Sequence, residues 1–154
     1  MTDFAIAVEI AAPPDRVWEV MSDIERWAEW TPTVTRIDRL DPGPLAAGQR
    51  ARILQPRLPA AVWRITRLEP RRSFTWETRS PGVVVTGHHS VEANGSGSRA
   101  RLSLHFGGVL GPVVARIFRG FNTRYLELEA AGLRRRSEAR EERSDGAVGH
   151  SSIP

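Results

Sequence analysis

From residue 33 to residue 106 apolar and polar side chains alternate one by one, in short runs separated by proline or glycine. A period of two belongs to strands, whose successive residues face opposite sides of a sheet. The runs are "TVTRIDRL", "QRARILQP", "AVWRITRL", "RSFTWETRS", "VVVTGHHSVEA" and "SRARLSLHF", and the separators include "RLP", "EPRR", "PG" and "NGSG". Such short links join sequential strands as an antiparallel meander, because a parallel crossover needs a dozen residues or more. The last run shows the pattern plainly: Ala100, Leu102, Leu104 and Phe106 alternate with Arg99, Arg101, Ser103 and His105. A sheet with one apolar face needs a cover, and the rest of the chain must supply it.

Residues 3 to 11 read as a first strand, with Phe4, Ile6, Val8 and Ile10 on one face. "PPDRVWEVM" then starts a helix, since proline suits a first turn and Asp15 suits the positive end of the dipole. Ser22 and Glu25 have the spacing of a capping box for a second short helix, which Pro32 ends. After Gly107 and Gly108 the period becomes helical from about Leu110 to Arg136. On a continuous wheel Leu110, Val113, Val114, Ile117, Phe121, Tyr125 and Leu128 share one stripe, the natural cover for the sheet. Residues 137–154 are polar, Gly- and Ser-bearing, and read as a disordered tail behind a domain of residues 1–136. The expected class is therefore α+β: a curved antiparallel sheet of about seven strands gripping a long C-terminal helix, with two short helices between strands 1 and 2.

The 154-residue chain suits one core. It has no cysteine, which excludes disulfides, thiolate catalysis and cysteine-ligated metals. No apolar run approaches the roughly 18 residues of a membrane span, and the first residues lack the pattern of a signal peptide. A cytoplasmic protein without membrane insertion is expected. All 22 cationic residues are arginine, but they are dispersed rather than gathered in a patch, so nucleic acid is not an expected partner. Metal and cofactor motifs are missing, and the adjacent His88 and His89 point to opposite faces of their strand, so no metal or cofactor is expected.

Parity places a few polar groups inward. His89 falls in register with Val85, Val91 and Ala93, either as an acid–base group or as a hydrogen-bonded core histidine. Gln55 shares a face with Ala51 and Ile53, where its amide must bond a ligand, a water or another side chain. Arg67 follows Trp63 and Ile65 on alternate positions, unless a strand bulge reverses the parity. On the wheel Arg124 lies between Ile117, Phe121 and Leu128; it either serves a buried anion or escapes to the rim, or pairs with Glu127 or Glu25.

The chain resembles the START-like, or Bet v 1-like (SRPBCC, helix-grip), superfamily, and within it the polyketide cyclase/dehydrase-like group. The matching stretches are "APPDRVWEVMSDIERWAEWTP", "GQRARILQPRLPAAVWRITRLEPRRSFTWE", "GSGSRARLSL" and "RYLELEAAGLRRR". The resemblance implies an apolar cavity between sheet and long helix that takes up a hydrophobic, aromatic or polyketide-like small molecule. It also implies a metal- and cofactor-independent cyclisation or dehydration, with Arg124 polarising carbonyls and His89 as the second polar agent. Trp27, Gln55, Trp63, Arg67, Trp76, Phe121 and Tyr125 would line the ligand, with Trp30 as a plug beside Trp27. A non-catalytic carrier or sensor of the same fold is the alternative, and either a monomer or a homodimer fits.

Overall fold

The structure, a computed structural model, describes residues 3–148, with side chains through Ala139. Seven strands form one antiparallel sheet: β1 (Phe4–Ile10), β2 (Arg36–Arg39), β3 (Arg50–Leu54), β4 (Ala61–Glu69), β5 (Ser73–Ser80), β6 (Val83–Asn94) and β7 (Gly97–Gly107). Their spatial order is β1-β7-β6-β5-β4-β3-β2. β2 to β7 are a plain meander, as the short links dictate, and β1 closes against β7 with Phe4 opposite Leu104 and Ile10 opposite Ser98. Helix α1 (Pro14–Ser22) and a 3-10 helix (Ile24–Glu29) lie between β1 and β2, and α2 (Gly111–Ile117) and α3 (Arg119–Val148) follow β7. This is the helix-grip arrangement.

Two local details depart from the sequence reading. The Ser22–Glu25 capping box does not form: Ser22 Oγ donates to the Trp18 carbonyl at 2.7 Å, and Glu25 Oε2 accepts the Arg39 N–H at 3.2 Å. The long helix is two helices, interrupted at Phe118. A wheel drawn across that interruption loses its phase. Leu110, Val113 and Ile117 are therefore exposed, while the buried face of α3 is Asn122, Leu126, Ala130, Leu133 and Ser137.

α3 also runs past residue 136. Ser137 is fully buried and Glu138 Oε1 accepts the Ala11 N–H at 3.0 Å, so the packed domain includes these residues. Residues 149–154 of the expected tail lie outside the described residues. Leu126 and Ala130 pack on Leu102, Phe4 and Ile6, whereas Leu133 joins the main core with Trp27, Trp30, Phe74 and Trp76. Among the described residues no helix is long and apolar enough to cross a membrane.

Candidate functional site

The inner face of the sheet and the cavity side of α2 and α3 enclose a cavity of about 520 Å3. That size suits a drug-sized organic ligand. Its floor is aromatic: Trp27 stacks obliquely on Trp76 at 5.4 Å between ring centres, and Trp76 on Trp63 at 5.5 Å. Gly87 makes this possible, because on β6 it lies opposite Trp76 and a Cβ there would collide with the indole Nε1. Phe121 and Tyr125, ring centres 4.2 Å apart, form the helix wall. The Tyr125 hydroxyl donates to the Pro56 carbonyl at 2.9 Å, which ties α3 to the β3–β4 connection across the cavity.

Inside this apolar setting lies one ionisable pair. His89 Nε2 is 2.8 Å from Glu129 Oε1, with both side chains largely buried and both on the cavity wall. The imidazole is clamped flat against Phe74, ring centres 4.6 Å apart and planes 8° from parallel. Glu129 holds the Nε2 edge, and the buried Nδ1 has no partner in the protein. Two further buried nitrogens of wall residues, Trp63 Nε1 and Asn122 Nδ2, also lack partners. An unmet buried donor costs about 1–3 kcal/mol, so such groups favour a ligand that brings acceptors.

The inward placement of His89, Trp27, Gln55, Trp63, Trp76, Phe121 and Tyr125 matches the structure, since all of them line the cavity. Gln55 is partly committed, its Nε2 donating to the Thr33 carbonyl at 3.1 Å. Trp30 is buried outside the cavity lining, beneath the backbone of Gly132. Two arginines are corrected. Arg124 is 67% exposed, with its guanidinium 4.0 Å from Glu127. Position 124 stands about 200° around the helix from both Asn122 and Leu126, which fix the inward face. Arg67 is 72% exposed and bonds Glu69 at 2.6 Å. A bulge between Ile65 and Arg67 shifts the β4 register, turning Arg67 out and Leu68 in.

Glu129 and Asn122 were missed. The signal for Glu129 was present: an acid three residues after Leu126 and four before Leu133 shares their face. His88, on the other face of β6, bonds Thr75 Oγ1 at 2.7 Å, and burial, then the charges of His89 and Arg67, push its imidazole below the usual range. Far from the cavity, Asp41 and Glu9 are held below the ordinary carboxylate range, mainly by side-chain hydrogen bonds from Arg50 and Arg99. Among the described residues no cluster of three or more acids and histidines is placed to hold a metal ion.

Solved structures share this fold at low identity. The Zhui aromatase/cyclase from Streptomyces sp. R1128 is 22% identical, with a TM-score of 0.69 over 89% of this chain and 93% of that one. The protein TTHA0849 from Thermus thermophilus is 17% identical, with a TM-score of 0.71 over 88% and 97%. The di-domain aromatase/cyclase StfQ of the steffimycin biosynthetic pathway is 16% identical at a TM-score of 0.67, and the match covers 93% of this chain and 51% of that one. No curated protein sequence matches the chain. The family model of "polyketide cyclase / dehydrase and lipid transport" matches residues 1–138, and with its seven-stranded grip on α3 the chain belongs to that family, within the START-like, Bet v 1-like superfamily.

Proposed function

We propose that the protein binds a hydrophobic, aromatic or polyketide-like small molecule in the cavity between sheet and α3. The observation that carries this reading is the cavity itself: about 520 Å3, floored by Trp27, Trp63 and Trp76 and lined mostly by apolar side chains. Flat rings would stack on the tryptophans, and a small rotation of the Trp63 or Asn122 side chain would turn its buried, unpartnered N–H toward a carbonyl or phenol oxygen of the ligand. The family description and the names of the aromatase/cyclase neighbours support the same ligand class. Native mass spectrometry of freshly purified protein should show a co-purified small molecule. In solution, anthraquinone should quench tryptophan fluorescence at concentrations where anthracene, its carbonyl-free counterpart, does not. Asn122→Leu should weaken anthraquinone about fivefold to tenfold, the loss of one hydrogen bond, and leave anthracene unchanged. A native protein that binds neither compound refutes the reading.

The His89–Glu129 pair favours a second reading, in which the bound molecule is cyclised and dehydrated. In such a reaction a proton leaves the carbon beside one carbonyl, that carbon bonds to a second carbonyl carbon, and the second oxygen takes the proton to become a hydroxyl. A second proton is then removed from the ring-closing carbon and delivered to this hydroxyl, which leaves as water. A carboxylate–imidazole pair serves both steps, because each time it accepts the proton from carbon and returns it to oxygen. Confinement of a flexible chain lowers the cyclisation barrier further. With the co-purified compound or its acyclic precursor, Glu129→Gln should lower turnover about 100-fold or more while affinity changes little. A parallel loss of affinity, or unchanged turnover, identifies a carrier instead.

A further inference from the structure

Five of the eight large hydrophobic side chains exposed among the described residues fall within ten positions: Val109, Leu110, Val113, Ile117 and Phe118. Single exposed apolar residues are ordinary, but a contiguous apolar surface marks a contact. Val109 is 90% and Ile117 70% exposed. Val113 and Ile117 are one turn apart on the outer face of α2, and Val114 lines the cavity behind them. α2 is thus one lip of the cavity. Across the opening Leu58 and Val62 are also exposed and also line it.

The two chain segments that form the lips carry charge of one sign. No acidic residue occurs from position 93 to position 126 or from position 42 to position 68. Arg116 and Arg119 flank the apolar face of α2, and Arg57 lies on the turn opposite; all three are exposed. An apolar face edged by arginines is the composition of a segment that lies in the headgroup layer of an anionic bilayer. A second copy of this chain fits poorly, because docking α2 on α2 would oppose arginines with no acid in the segment to pair them.

We propose that the protein docks through α2 on an anionic lipid surface, with the mouth of the cavity turned toward the membrane. Val109, Val113 and Ile117 enter the acyl boundary, and Arg116 and Arg119 meet lipid phosphates. An apolar molecule then passes between bilayer and cavity without crossing water. The docking does not depend on what the cavity takes up, so it can fail while the ligand reading stands.

Co-sedimentation with vesicles tests it, using phosphatidylcholine alone and phosphatidylcholine mixed with phosphatidylglycerol. The protein should partition onto the anionic vesicles at least about tenfold more strongly, and salt should weaken it. The pair Val109→Asp, Ile117→Asp should abolish binding with an unchanged circular dichroism spectrum. The pair Arg116→Ala, Arg119→Ala should lose about tenfold. Absent or equal binding to the two vesicle types overturns the proposal, as does undiminished binding by the aspartate pair. Self-association that the aspartate pair removes, without vesicle binding, also overturns it and makes the face a contact between copies.

Discussion

Gly132→Ala should destabilise the domain by about 2–3 kcal/mol, although alanine favours a helix over glycine by about 1 kcal/mol. Gly132 lies within α3, where the helix passes directly over Trp30, and an added methyl would overlap the Trp30 carbonyl oxygen and crowd its indole. The obstacle is backbone, which no rotamer change removes. The next turn of the helix is also tied to this corner: Arg135 Nη2 donates to the Trp30 carbonyl at 3.4 Å, and Arg136 Nη2 to Glu29 Oε1 at 2.7 Å. To admit the methyl, α3 must lift from the 3-10 helix and break these bonds. Gly120→Ala is the control in the same helix, since a Cβ there meets open space, and it should be neutral or stabilising by up to about 1 kcal/mol. Urea unfolding of both variants decides the matter. A Gly132→Ala protein as stable as the native one would mean that the helix does not cross Trp30 this closely.

The crossing also shows which parts of the structure were legible in the sequence. Strand periodicity is a local property, so the seven strands, their meander and the inward set of β7 followed from alternation and turn residues. So did the place of His89, because the β6 pairings with β5 and β7 are continuous from Val84 to Ser90. The bulge after Ile65 has no such local mark: it appears only when β4 is paired with β5, and it turned Arg67 outward. The interruption at Phe118 had a weak sign in the glycine two residues on, yet a wheel assumes one axis. Carrying that axis through moved Arg124 onto the inward face and left Glu129 unnoticed. The His89–Glu129 hydrogen bond joins residues 40 positions apart, so no local pattern shows that the two meet.

Trp27→Ala should cost more than the glycine change, about 3–5 kcal/mol, the usual range for removing a buried large aromatic. Trp27 is 2% exposed and touches four rings: Trp30 at 5.4 Å, Trp76 at 5.4 Å, His89 at 5.1 Å and Phe74 at 6.3 Å between centres. Its indole N–H donates to the Met21 carbonyl at 3.0 Å, which fastens the 3-10 helix to the end of α1. Trp27→Phe separates the two contributions. It keeps much of the ring contact but leaves the Met21 carbonyl without its donor, a loss of about 1–3 kcal/mol. Trp27 also lines the cavity, so the phenylalanine variant, which should still fold, should alter anthraquinone affinity as well as stability. Trp30→Phe should lower stability without that change in affinity, because Trp30 is outside the cavity lining. If chemical unfolding and fluorescence titration show both variants losing stability alone, Trp27 is only a plug like Trp30, and the ligand must sit nearer Trp63 and Tyr125.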